Sequence, residues 1–332
     1  MHVIVSTDSK YVPRGLERPW QRRQFPILIA FGLALVLFGV VSIYAHGFAG
    51  TNNLRNLVEQ SLVLGTAAIG QTVVIITGGI DLSIPAMMGV AAVLLPRLAH
   101  NDSGLWKPAL VVLGIATALG LFNGVAVGVF GAPAIIVTLG TNSIMLGGLL
   151  GATNGGGFST SSNVTGGLVK TLTTGQVGPF PVALFVWLGE ILAITLLLSR
   201  TSFGRKIYAI GSNATAARMS GVNQQATLVG AYVISAWTAA LAGFLIAGWL
   251  GQTYPGIGAD YLFTSISVVL IGGASILGGS GHYLGTVAGT MTLVVLGGLL
   301  AVLNLGPAFF RITYGVVIFA TVGLGMLGNW KR

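Results

Sequence analysis

Residues able to do chemistry are few in this chain, and they do not gather. His2, His46, His100 and His282 are scattered without the spacing of a metal site, and the seven carboxylates are not paired for acid–base work. There is no cysteine, which excludes disulfides, thiolate ligands and a cysteine nucleophile. No G-x-x-x-x-G-K-[ST] occurs, so the chain does not hold ATP in a P-loop. Two carboxylates stand out by their surroundings. Asp81 lies in "TGGIDLSIPAMMG" (77–89) and Glu190 in "VWLGEILAITLL" (186–197), both inside strongly apolar sequence.

The apolar sequence is the bulk of the molecule. Of 332 residues, 54% are hydrophobic and only 7% charged, and the mean hydropathy is +0.88. A soluble domain carries roughly 25% charged residues. So few charges cannot cover a surface that faces water, and the composition predicts an all-α integral membrane protein. Ten apolar segments, each near or below the ~20 residues that cross a bilayer, cover 27–45, 57–77, 84–99, 108–130, 134–152, 181–199, 225–250, 262–279, 284–303 and 309–328. Residues 26–330 form one transmembrane domain in this reading, preceded by a basic tail over 1–25.

The net charge of +9 takes its meaning from its distribution. With both termini in the cytoplasm, eleven basic residues fall inside and five outside (Arg55, Arg97, Lys107, Lys170 and Arg311). That is the bias of cytoplasmic loops, so the charge is a topology signal and nucleic acid is not a partner. The first apolar run outlasts a signal-peptide core and lacks a clean small-x-small site, so it reads as an uncleaved helix. Asn101, Asn163 and Asn213 begin tripeptides of the glycosylation pattern, which also arise by chance.

Most of the 51 glycines suit close helix packing in lipid. Gly78-Gly79, Gly272-Gly273 and Gly278-Gly279-Ser280-Gly281 instead break helices. A buried aspartate costs about 2.5–3.5 kcal/mol on insertion scales, and a mid-helix proline about 3 kcal/mol. Both costs fall if one helix ends at Gly78-Gly79 and another begins near Leu82, with Asp81 or Ser83 as cap and Pro85 in the first turn. Asp81 is then either only a cap or part of a polar pathway. "VVIITGGIDLSIPAMMG" (73–89) can be set against "VVLIGGASILGGSGHYLG" (268–285) with one gap. Matching breaks in two halves point to a transport pathway. Glu190, as an intramembrane carboxylate, is a functional candidate or a hydrogen-bonding group between helices.

The longest basic loop, 200–224, contains "SFGRKIYAIGSNATAARMSGV" (202–222). Asn213 caps a short helix over 214–220, and Gly221 ends it. Docking a partner and resting on the membrane surface are the two readings of such a helix.

Together with "GAPAIIVTLGTNSI" (131–144) and "VVLIGGASILGGSGHYLGTVAG" (268–289), these motifs resemble the permease subunits of sugar-type ABC importers, of the ribose, xylose, arabinose and galactose class, from about residue 50 to the C-terminus. The resemblance implies a type II importer-like permease of about ten helices, with breaks or short helices near 78–85 and 131–152, in the bacterial inner membrane. It implies a second permease copy or paralogue, an ABC ATPase subunit that uses ATP and Mg, and a periplasmic substrate-binding protein; this chain itself holds no cofactor. On it, Gly78, Gly79, Asp81, Ser83, Pro85, Thr138 and Asn142 belong to the translocation pathway. Gly204, Arg205, Asn213, Ala216, Ala217, Arg218 and Gly221 belong to the ATPase coupling loop. Pro85 departs from the family's usual glycine, and Asn142 and His282-Tyr283 occupy variable positions. The alternative is a secondary transporter that couples ions through Asp81 and Glu190. A scaffold without transport has no use for broken helices.

Overall fold

The computed structural model describes residues 25–98, 106–153 and 167–329. Nearly all of the basic tail, the Asn101 and Asn163 tripeptides and the terminal Lys331 and Arg332 lie outside the described residues.

Among the described residues thirteen helices follow one another: α1 (Phe25–Tyr44), α2 (Thr51–Ile76), α3 (Ile84–Leu98), α4 (Trp106–Gly128), α5 (Ala134–Ala152), α6 (Gly167–Thr174), α7 (Val182–Arg200), α8 (Ser202–Ser212), α9 (Ala214–Met219), α10 (Gln224–Leu250), α11 (Tyr261–Ile271), α12 (Tyr283–Val302) and α13 (Pro307–Asn329). A two-residue hairpin, Gln176–Val177 with Phe180–Pro181, joins α6 to α7. Among the described residues, seven helices are long and apolar enough to span a membrane, and three shorter apolar stretches lie in α3, α11 and α13. These ten helices coincide with the ten apolar segments of the sequence.

The polar content of α2 explains its place. Glu59, Ser61, Thr66, Gln71 and Thr72 would be costly against lipid, and α2 is the helix the bundle surrounds, packed on α10, α12, α11 and α7. α1 has no charged residue and shows Leu28, Leu35 and Ile43 on its outer face, as lipid contact requires. Small residues bring the central helices together. A Cβ on Gly120 or Gly124 of α4 would lie 2.5 Å from the Cα of Val233 or Val229 on α10, and one on Gly70 of α2 would lie 2.4 Å from the Cα of Ser235. This is the small-residue packing that lipid demands.

Three boundaries differ from the sequence reading, the first being that α2 begins at Thr51, ahead of the segment 57–77. The segment 262–279 is helical only to Ile271, because Gly273, Gly278 and Gly279 take positive φ. The stretch 134–152 is one continuous helix, with the interruption confined to Gly131 (φ 68°) and Pro133 before it.

Candidate functional site

The break after α2 is built by glycine. Gly78 has φ 89°, its N–H bonds to Ile75 O (2.9 Å) and the Gly79 N–H reaches Val74 O (3.1 Å). That pair of bonds is the Schellman ending. The end of α11 repeats it: Gly273 has φ 84°, its N–H bonds to Leu270 O (2.9 Å) and the Ala274 N–H to Val269 O (3.2 Å). The internal similarity is thus a shared three-dimensional device, in register without a gap over 73–78 and 268–273.

Beyond Gly79 the chain turns on Asp81, which is 2% exposed. Its Oδ1 accepts from the Ser83 N–H (2.9 Å) and hydroxyl (2.6 Å), and its Oδ2 from the Ser235 hydroxyl on α10 (2.7 Å). The Ser83 hydroxyl in turn accepts from Asn123 Nδ2 on α4 (3.0 Å). Ser83 itself precedes α3, and its carbonyl accepts the Met87 N–H. Pro85 has no N–H to satisfy, and the next free donor, Ala86 N–H, is capped from another helix by Asn142 Oδ1 (3.2 Å). The Thr138 hydroxyl donates to Ala134 O (2.8 Å) within α5 and to Ile80 O (3.3 Å) across the break. Gly79 packs under the Tyr232 hydroxyl, which has no hydrogen-bond partner among the described residues. All seven residues expected at the break are therefore brought together. Tyr232, Ser235 and Asn123 complete the cluster. Their only trace in the sequence is a polar group inside an apolar run.

The two breaks touch each other. The Gly279 N–H donates to the Ile76 carbonyl left open at the end of α2 (2.9 Å), and Gly278 sits against the Gly78 N–H. α8 lies on this junction. A Cβ at Gly211 would fall 1.9 Å from Ile76 O and 2.4 Å from Gly279 N, and the Tyr208 hydroxyl donates to Gly281 O (2.8 Å).

The loop itself is two capped helices. Thr201 caps α8 by accepting the Gly204 N–H (3.1 Å), and Gly204 presses on the carbonyls of Leu197 and Leu198. Phe203 reaches Gly230 of α10, with Ile207 and Ile210 buried. Asn213 caps α9 through the Ala216 N–H (2.9 Å), and Gly221 (φ 80°) follows its end. Arg205 reaches back to Arg200 O (3.4 Å). Ala217 faces inward at 5% exposure, whereas Ala216 and Arg218 face outward beside Met219, which is 84% exposed.

Comparison with known proteins bears on this arrangement. Residues 53–322 match the family model described as branched-chain amino acid transport system / permease component. The chain belongs to this permease family. It is similar to the ribose import permease protein of Escherichia coli (strain K12), with 33% identity over 87% of this chain and 90% of that protein. It is also similar to the fructose import permease protein of Rhizobium meliloti, at 30% over 92% and 85%. A third relative is the autoinducer 2 import system permease protein of Yersinia enterocolitica serotype O:8, at 30% over 86% and 79%. No solved structure matches the chain.

Glu190 of this permease faces the bundle. Its Oε2 accepts from the Thr66 hydroxyl of α2 (2.6 Å), beside Tyr283, whose hydroxyl donates to Gly65 O (3.0 Å). One acceptor is in use, and an amide supplies one acceptor. Glu190→Gln is therefore expected to keep at least half of the uptake rate and to shift the thermal midpoint little. An uptake assay in vesicles with and without a proton gradient checks this. Loss of gradient sensitivity in this variant alone would favour ion coupling through Glu190.

Proposed function

We propose that this chain is the membrane-spanning permease subunit of an ATP-driven importer for a sugar or related small polar solute in the bacterial inner membrane, with its termini in the cytoplasm. The observation that carries the reading is the family match over 53–322 together with relatives named as ribose and fructose import permeases along nearly their whole length. A periplasmic binding protein delivers the solute, a second copy or paralogue completes the pathway, and a separate ABC ATPase uses ATP and Mg; this chain binds no cofactor.

The Asp81 cluster is the pathway element in this reading. Buried hydroxyl and amide oxygens at Tyr232 and Asn123 carry no partner among the described residues, as suits a polar solute passing nearby. Asp81 is held by three hydrogen bonds, which fix its side chain at the turn before α3.

The 200–224 loop couples the permease to the ATPase. Its basic charge supports a cytoplasmic position, and α9, at six residues, is too short to persist in water unsupported. Ala217 anchors α9 to the permease while Ala216, Arg218 and Met219 offer an outward face. Introducing Ala216→Glu with Met219→Asp should lower substrate-stimulated ATP hydrolysis at least tenfold while the permease remains folded in the membrane. Copurification of the ATPase with and without the changes is the measurement. An ATPase that still binds and still responds to the loaded binding protein would remove this face from the coupling role.

A further inference from the structure

At the opposite end of α2 from its contact with α8 lies a cavity of about 730 Å³, between the first turns of α2, the end of α10 and helices α11 to α13. α2 has 26 residues, about 39 Å at 1.5 Å per residue, so the cavity opens on the face away from the basic loop. Sites for small molecules fall at roughly 300–1,000 Å³. Below the cavity the chain does not run straight from α10 to α11. Gly251 (φ 66°) turns it back, Ile257 and Gly258 are buried, and a Cβ on Gly258 would lie 2.1 Å from Pro85 O. The segment that lines the cavity at Tyr254 and Ile257 therefore packs, at Gly258, on the first turn of α3.

The lining combines two kinds of group. Trp249, Tyr254, Tyr261, Phe310 and Tyr314 give it aromatic walls. Asn56 and Gln60, four residues apart and so on one face of α2, present carboxamides that are engaged in no hydrogen bond among the described residues. Each carboxamide both donates and accepts. At the rim Asp260 and Arg311 pair at 3.5 Å, both mostly exposed, so the cavity offers no unpaired charge of either sign from these two.

A ring with an apolar C–H face and a hydroxyl edge matches this lining. The face lies on aromatic carbon, and the hydroxyls exchange hydrogen bonds with groups that both donate and accept. A zwitterionic amino acid instead needs a free cation and a free anion, and here those two charges hold each other. We propose that this cavity is a binding site for a neutral, polyhydroxylated solute of monosaccharide size, with Asn56 and Gln60 reading hydroxyls and Trp249 and Tyr254 supplying the stacking surface. The proposal rests on the sugar-importer reading above and adds to it a site in the permease itself, separate from the helix break.

The test is equilibrium binding of radiolabelled D-ribose, D-fructose and L-leucine to the full-length permease in lipid nanodiscs. One of the two sugars should bind saturably and L-leucine should not. Gln60→Ala and Tyr254→Ala should each weaken sugar binding at least tenfold, and Leu110→Ala, on the exposed face of α4, should leave it unchanged. Gln60→Leu, which keeps the bulk of the side chain and removes its donor and acceptor, carries the test if the alanine variants fail to fold, with an expected loss of at least tenfold. Whole-cell sugar uptake through the complete importer is measured in parallel. Wild-type uptake of a sugar that the isolated permease does not bind, unchanged by the variants, would overturn the site and leave the permease reading standing. Binding of L-leucine in place of a sugar would overturn the ligand class. No sugar uptake by the wild-type importer would overturn both.

Discussion

Asp81→Leu should abolish solute uptake and lower the thermal midpoint of the permease, while Asp81→Asn retains a large part of both. Leucine removes the carboxylate that would cost about 2.5–3.5 kcal/mol at a bilayer centre, so insertion alone should improve. What is lost is the acceptor for three donors: the Ser83 N–H, the Ser83 hydroxyl and the Ser235 hydroxyl. A buried donor left unsatisfied costs about 1–3 kcal/mol, although hydrogen bonds between membrane helices average about 0.6 kcal/mol in mutant cycles. Even the lower figure, taken three times, leaves a loss near 2 kcal/mol centred on the turn that starts α3. Asparagine keeps one oxygen for Ser83, and its amide can donate to a rotated Ser235 hydroxyl. Uptake by the reconstituted importer and thermal unfolding in detergent read the two effects. If Asn fails as completely as Leu while remaining folded, the negative charge itself is required. Unchanged uptake in the Leu variant would leave Asp81 no role in the pathway.

The break was legible because glycine and proline are strong local punctuation. Two glycines after a long apolar run, then aspartate, serine and proline, admit few backbone courses. The structure follows one of these courses, with α3 beginning at Ile84 rather than near Leu82, and with Pro85 in its first turn as expected. The partners were not legible. Ser235, Asn123 and Asn142 arrive from α10, α4 and α5, at separations of 154, 40 and 56 residues from the groups they meet. No local pattern encodes such meetings. The cap on α3 illustrates the difference: the sequence offers Asp81 and Ser83 as local candidates, yet the free Ala86 N–H is taken by Asn142 from another helix.

Hydropathy misplaced the end of the eighth segment for a related reason. A window average counts Gly272 to Gly279 among weakly apolar residues and is blind to backbone sign, whereas Gly273, Gly278 and Gly279 all sit at positive φ. The loop shows the reverse case. Asn213 and Gly221 mark α9 plainly, while α8 is marked only by Phe203, Ile207 and Ile210 at helical spacing. Its two glycines argue against a helix locally. Gly204 and Gly211 are there for what lies outside the helix, the carbonyls of α7 and of Ile76.

Gly211 is accordingly the position where one added carbon should do most damage. Its missing Cβ would stand 1.9 Å from Ile76 O and 2.4 Å from Gly279 N, both backbone atoms that cannot swing aside as a side chain can. A methyl group there has to part the Gly279 N–H from the Ile76 carbonyl, the bond that ties the two breaks together, and to lift α8 away from Gly281. Gly211→Ala and Gly211→Val should both reduce uptake more than tenfold, and by similar amounts, because the obstruction begins at Cβ. Membrane insertion should persist, since the loop lies outside the spanning helices. Basal ATP hydrolysis in the assembled importer should also persist while its stimulation by substrate is lost, if the loop transmits movement between the ATPase and the junction of the breaks. Gly189→Ala on α7, with open space around the position, is the control and should behave as wild type. A harmless Gly211→Ala with a damaging Gly211→Val would mean that α8 stands off the junction, and the coupling route would have to run elsewhere.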